Sequence, residues 1–297
     1  MTLATVLNSL YLFLFKQAAQ LSLPTLHRLG SLLGSATYLL SGRYADRLHD
    51  NLQSALPELD EPEFRRVLRA NVEEMGKSIA ELPWVWLHPL EEVVTLVREC
   101  HGWELIEHAR AQGKGVIILT PHLGCFEISA QYLASKIPLT VLYRPPRLAW
   151  LEPMMRQGRE RGLVELARTD VSGVRAMLKA LKRGQAIGLL PDQAPGNGEG
   201  EWVDFFGRPA YTMTLVERLA TATGAMIVMT HAERLAAGAG YVLRFSPLEP
   251  AEGESITHAM NRTVEAVVRT CPEQYLWSYN RYKVPFGALP PDVAKEL

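Results

Sequence analysis

The sequence lacks most of the marks that assign a function at sight. Three cysteines, Cys100, Cys125 and Cys271, are odd in number, far apart and without a CxxC spacing. Neither a disulfide framework nor a zinc site follows, and a reducing compartment fits best. There is no HExxH, no GxxxxGK[ST] and no GxSxG, so the signatures of a zincin, a P-loop and an α/β-hydrolase nucleophile elbow are missing. Gly196-Asn-Gly-Glu-Gly is not followed by a helical pattern and is a poor dinucleotide fingerprint. Eight scattered histidines make no metal site, and no cofactor is called for. No apolar run reaches the ~20 residues of a full membrane span. A net charge of -1 gives no global attraction to nucleic acid.

What is present begins at the N-terminus. Thr2 to Phe15 carries no charge, and Lys16, Arg28, Arg43 and Arg47 follow it. A cleaved signal peptide would carry its positive charge before the apolar stretch. The pattern therefore reads as an uncleaved helix, residues 1–24, lying in or dipping into one leaflet, with the body on the cytoplasmic side. A buried N-terminal helix is the alternative. Charge is also uneven: Arg144 to Arg183 holds ten Lys and Arg against four Asp and Glu. That bias marks one anionic contact surface or a solvated helix face.

Residues 25–112 read as a helical cap. Asp60-Glu-Pro-Glu is a helix start, with Asp60 as cap and Pro62 in the first turn. Residues 113–297 change character. Apolar runs at 115–120, 139–143, 186–190 and 226–230 alternate with helical segments, and a shorter run at 163–166 and a last one at 241–245 have the same form. The alternation predicts an α/β layer with a mostly parallel sheet flanked by helices. Ser172 is a candidate helix cap, Thr212 and Thr214 fall in a predicted helix, and Pro191–Pro209 reads as one long loop of the kind that is often functional.

The strongest local signal is Thr120-Pro-His-Leu-Gly-Cys-Phe-Glu127, where a buried strand ends and a helix begins. Ligands of open α/β sheets bind at the carboxyl ends of strands, and a histidine there is placed to act as a general base. Glu127 lies where it is expected to hydrogen-bond one ring nitrogen of His122 and orient the other toward substrate. Tyr143-Arg144-Pro145, the cluster Arg156, Arg159 and Arg161, and Pro191-Asp192-Gln193 fall on or near segments that follow other strands.

With these motifs in place, the chain resembles the lauroyl/myristoyl acyltransferases of lipid A biosynthesis, within the lysophospholipid acyltransferase superfamily. The resemblance runs from Asn51-Leu-Gln-Ser-Ala-Leu-Pro to Trp277-Ser-Tyr-Asn-Arg-Tyr. It includes the His122–Glu127 spacing, Arg159, Asp192-Gln193 and Phe205-Phe206-Gly207-Arg208-Pro209. It implies an inner-membrane enzyme that takes acyl chains from acyl carrier protein. Its acceptor is a hydroxyl on an acyl chain of a phosphorylated glucosamine disaccharide. His122 and Glu127 are then catalytic, and Asp192, Gln193, Phe206 and Gly207 bind substrate or support the site. Arg159 is a candidate oxyanion donor, and Arg144, Arg147, Arg156 and Arg159 suit phosphate or an acidic carrier. Cys125-Phe126 departs from the family's frequent Asn-Trp and raises Cys125 as an alternative nucleophile. Another lipid acceptor, such as a lysophospholipid, or a non-catalytic lipid-binding role are the competing readings.

Overall fold

A computed structural model describes residues 3–146, 148–196 and 198–294; Arg147, named above as an anion contact, lies outside them. Six helices come first: α1 (Leu3–Ala18), α2 (Leu23–Leu40), α3 (Gly42–Ala55), α4 (Glu61–Ala80), α5 (Leu82–Leu87) and α6 (Leu90–Val94). Asp60 caps α4 as expected, its Oδ1 accepting from the Glu63 amide at 2.9 Å, with Pro62 in the first turn. α2 and α4 pack backbone to backbone. A Cβ on Gly76 would lie 1.9 Å from the Gly30 carbonyl oxygen, and one on Gly34 would lie 2.2 Å from that of Val72. Only hydrogen at these positions allows so close an approach.

The sheet layer follows as β1 (Val97–His101), α7 (Trp103–Ala111), β2 (Val116–Leu119), α8 (Phe126–Ala134), β3 (Leu139–Tyr143), α9 (Glu152–Arg159), β4 (Val164–Arg168), α10 (Val171–Lys182) and β5 (Ala186–Leu189). After these come β6 (Gly200–Phe205), β7 (Arg208–Met213), α11 (Leu215–Thr223), β8 (Met226–Arg234), β9 (Tyr241–Pro247) and α12 (Ile256–Thr270). Seven strands form one sheet in the order β1-β9-β8-β2-β5-β3-β4, and every pairing is parallel except β8 with β9. The expected mostly parallel α/β sheet is thus present. β2 and β5, at its centre, are buried at every residue, as the continuous apolar runs require.

Alternate residues of the central strands feed two cores. Ile117, Leu119, Ile187 and Met229 pack with α10, α11, α12 and with Leu48, Leu52 and Phe64 of α3 and α4. Val116, Ile118, Ala186 and Val228 pack on the other face with α7, α8 and with Val85 and Trp86 of α5.

Four expectations are corrected. The sheet starts before residue 113, because Val97–His101 is an edge strand whose mixed, partly exposed residues carry no apolar run. The stretch read as a loop over Pro191–Pro209 holds β6, which pairs with β7 as an antiparallel hairpin. Its turn puts Phe206 (φ 49°) and Gly207 (φ 69°) in consecutive left-handed conformations, as a tight hairpin needs. Thr212 consequently sits in β7, and Thr214 stands just before α11. Asp170 rather than Ser172 caps α10, accepting from the amides of Ser172 and Gly173.

Among the described residues no helix is long and apolar enough to cross a membrane. Large apolar side chains nevertheless stand exposed on α1 (Leu10, Tyr11, Phe13, Leu14) and on α2 (Leu29, Leu32, Leu33, Leu39, Leu40).

Candidate active site

Strand register brings the site together. Leu119 of β2 and Leu189 of β5 are paired, and the Thr120 amide continues the ladder to the Leu189 carbonyl at 2.9 Å. Residues three places beyond each therefore meet at the carboxyl edge of the sheet; they are His122 and Asp192. The Asp192 carboxylate takes the His122 ring Nδ1 at 2.8 Å on one oxygen and the His122 backbone N–H at 2.9 Å on the other. Burial alone would raise the Asp192 carboxyl. The attraction of His122 and the hydrogen bonds from its ring and amide outweigh that and hold it below its ordinary value. An ionised carboxylate only accepts, so Nδ1 carries the proton and Nε2 is left with a lone pair. The Gln193 side-chain amide meets Nε2 at 3.1 Å.

The His122 loop is itself clamped. The Leu276 amide donates to the His122 carbonyl, the Gly124 amide to Gln274 and the Cys125 amide to Ala232. Gly124 has φ of 60°, and a Cβ there would fall 1.9 Å from the Ala232 oxygen. Glycine is obligatory at this turn on both counts. The segment 273–279 that grips the loop is in turn held from the helical region. Asn51 donates to the carbonyls of Trp277 and Tyr279, and Asn71 to those of Glu273 and Tyr275. The two ends of the motif set, Asn51 and Trp277-Ser-Tyr, are thus in contact.

Glu127 does not bond His122. It lies in the first turn of α8, buried, and accepts from Trp86 Nε1 at 3.1 Å and from Arg159 through both Nε and Nη2. The turn at Gly124 and the start of the helix carry it toward α5 and α9, away from the ring nitrogens that Asp192 and Gln193 occupy. The Arg159 guanidinium also lies 5.7 Å over the Trp86 ring. Arg159, nominated as an oxyanion donor, therefore has two of its nitrogens committed to Glu127. Arg144 is exposed just past β3. Arg156 is half-buried and pairs with Glu160, with a longer contact to the Tyr143 hydroxyl at 3.4 Å.

Phe206 and Gly207 form the β6–β7 turn. Phe206 packs on Phe205 and Trp277, and Trp277 on Tyr275, whose buried hydroxyl lies against Asp192. They back the site through two layers of rings. Cys125 is buried on the other side of the loop. Burial first, then the charge of Glu81, push its thiol well above the ordinary range, the reverse of what a nucleophilic thiolate needs.

Sequence reasoning missed Trp86, Tyr275 and the clamp Asn71, gave Asn51 no role in the site, and paired His122 with Glu127 instead of Asp192. Equal offsets from the ends of two adjacent strands were the available signal for Asp192.

Beside the His122 ring, 5.1 Å from it, is the Phe126 ring. Phe126 borders a narrow apolar slot between α8 and strands β2, β5, β3 and β4, partly open to solvent. Thr120, Glu127 and Arg159 stand at its polar end. Ile118, Ala130, Leu133 and Leu139 line its apolar length. Among the described residues no cluster of His, Cys, Asp or Glu is grouped as metal ligands would be.

The profile of the family described as bacterial lipid A biosynthesis acyltransferase matches residues 1–284. The chain is 31% identical over 272 residues to the lipid A biosynthesis lauroyltransferase of Escherichia coli (strain K12), covering 89% of this chain and 87% of that protein. It is 27% identical over 282 residues to the palmitoleoyltransferase of the same organism, covering 90% and 88%, and 26% identical over 250 residues to its myristoyltransferase, covering 80% and 76%. With its α/β fold and its buried-carboxylate histidine at the strand ends, the chain belongs to the bacterial lipid A biosynthesis acyltransferases.

Proposed function

We propose that this enzyme moves a fatty acyl chain from the thioester of acyl carrier protein directly to a hydroxyl of a lipid A precursor, with His122 as general base. The observation that carries the reading is the ring of His122, held by Asp192 through Nδ1 at 2.8 Å with Nε2 toward Gln193, beside the mouth of an apolar slot. The slot takes the acyl chain and leaves the thioester at its polar end. The acceptor hydroxyl displaces the Gln193 amide from Nε2 and gives its proton to His122 as its oxygen attacks the thioester carbonyl. The tetrahedral intermediate collapses with cleavage of the C–S bond, and His122 returns the proton to the departing thiolate. Glu127 and Trp86 fix Arg159 beside the slot, and its remaining nitrogen is the candidate donor to the developing oxyanion. Asp192, not Glu127, orients the base.

The carrier and the phosphorylated acceptor are both anionic, and exposed Arg144 and half-buried Arg156 flank their approach. The exposed leucines of α1 and α2 suit a helix pair seated in the interface of the inner membrane, with the body on its cytoplasmic face. Residues 1–24 then act as anchor, the helices that follow, to Val94, as cap, and the sheet layer from Val97 onward as catalytic unit.

The test is transfer from radiolabelled acyl carrier thioesters to two acceptors, a phosphorylated lipid A precursor and a lysophospholipid, each with native enzyme and His122→Ala. Transfer to the lipid A precursor that falls by about 100-fold or more in the variant is expected. Transfer to the lysophospholipid alone would overturn the acceptor, and absence of His122-dependent transfer to either would overturn the chemistry.

A further inference from the structure

Gly188 stands at the centre of the slot, and nothing in the fold requires a glycine there. It is the third residue of β5, the central buried strand. Its φ is not in the left-handed region; it is absent from the residues of positive φ. A Cβ built on it would meet only Val141 Cγ2 at 3.5 Å and Leu139 Cδ1 at 3.7 Å, ordinary contact distances. A glycine inside a strand costs stability, and it commonly marks a place where something else approaches the backbone. Close-packed glycines such as Gly30, Gly34 and Gly76 have backbone within 3 Å of their absent Cβ; Gly188 has room for a methyl group instead.

That space is in the slot. The register Ile118↔Gly188, Gly188↔Val141 and Val141↔Leu166 sets these four residues in one row across β2, β5, β3 and β4, and all four line the slot. The next row toward the strand ends includes Thr120 and Leu190, at the His122 side. The row behind includes Leu139 and Val164. Since β2–α8–β3 is a crossover between parallel strands, α8 runs back along the sheet from Phe126 at the mouth to Leu133 at the far end. Gly188 therefore lies partway down the slot, between the reacting end and its floor.

We infer that Gly188 is a specificity-determining residue. The missing side chain leaves the passage through which the acyl chain reaches the Leu133–Leu139 end, so this position limits the chain length accepted. The inference rests on the acyl-transfer reading above. A hydrophobic pocket separates substrates that differ by one methylene by roughly 10–200-fold. A methyl group set in the passage is expected to discriminate on that scale.

The experiment measures kcat/KM of the full-length enzyme with a ladder of acyl carrier thioesters in two-carbon steps. Native enzyme, Gly188→Ala, Gly188→Val and Val141→Ala are compared, with His122→Ala as the control for the reaction. Gly188→Ala should move the optimum to a shorter chain, with the longest donor losing about tenfold or more against the shortest. Gly188→Val should move it further, and Val141→Ala should widen the row and favour longer donors. Thermal melts identify any variant that does not fold; the contact distances at Gly188 predict that the alanine variant does, and the Val141→Ala arm carries the test if the valine variant does not. An unchanged chain-length profile in folded, His122-dependent Gly188→Ala and Val141→Ala enzymes overturns the inference while leaving the acyl-transfer reading intact. Loss of His122 dependence in the native enzyme overturns that reading, and the inference with it.

Discussion

Two of this protein's carboxylate–guanidinium pairs sit in opposite settings. Glu81 and Arg234 are each about 1% exposed. Arg234 reaches both Glu81 oxygens and Glu74, while His27 and the Tyr241 hydroxyl complete the Glu81 shell. Burial would raise the Glu81 carboxyl, but Arg234 holds it well below the usual carboxylate range. This closed network joins α2, α4 and α5 to β8 and β9. Glu127 and Arg159 pair in the same chemistry, but Arg159 keeps 21% of its side chain exposed and the pair borders the slot beside His122. Residue type does not distinguish a structural ion pair from one at an active site. Position at the strand ends and an open side do.

The contrast can be broken from the closed side first. Arg234→Ala leaves Glu81 buried without its cation, and loss of one partner of a buried pair costs about 3–5 kcal/mol. Chemical denaturation should register that loss, with catalysis affected only through the folded fraction. The open pair should give the reverse pattern. Glu127→Gln frees Arg159 from its anchor and should lower kcat by about 100- to 1,000-fold, as loss of a preorganised oxyanion donor does, with a much smaller change in melting temperature. Equal damage to stability from both substitutions would erase the distinction.

How far this was legible in the sequence depended on what each element shows of itself. β2, β3 and β5 appeared because strands buried on both faces are continuous apolar runs. β1 did not, because Val97-Arg-Glu-Cys-His at the sheet edge has no such run. β6 was read as loop because the glycines and prolines around it outweighed the alternation of Trp202, Val203 and Phe205, and the end of β7 was read as helix. His122 was singled out from its place after a strand. Its partner was misread because Glu127 is near in sequence, whereas Asp192 is brought close only by the β2–β5 register. Trp86, Asn51 and Asn71 reach the site from helices far away in the chain, and a single sequence holds no spacing that reveals such contacts.

Smaller effects sharpen the same contrast between closed and open parts. Gly76→Ala drives a methyl group into the Gly30 carbonyl and should destabilise by about 1–3 kcal/mol, the usual cost of overpacking, without altering KM for either substrate. His231 is buried against Arg244, and burial followed by that charge lowers its pKa to about 4. Its ordinary value in the unfolded chain is about 6.5. The unfolded state therefore binds a proton there first as pH falls, and stability drops between those two values, by about 1.4 kcal/mol at pH 5.5. Denaturation of His231→Gln should show a correspondingly flatter dependence over that interval, and an unchanged slope would remove His231 from the explanation.

In the proposed reaction Asp192, rather than Glu127, fixes the general base His122. The most direct measurement of this is the turnover of purified Asp192→Asn with acyl carrier thioester and lipid A precursor. The amide is nearly isosteric but stabilises the wrong tautomer of His122, and loss of such an orienting carboxylate costs about 10⁴-fold. A fall of that order with a retained melting temperature is the predicted result. Turnover within tenfold of the native enzyme would contradict the account and return the orienting role to Glu127.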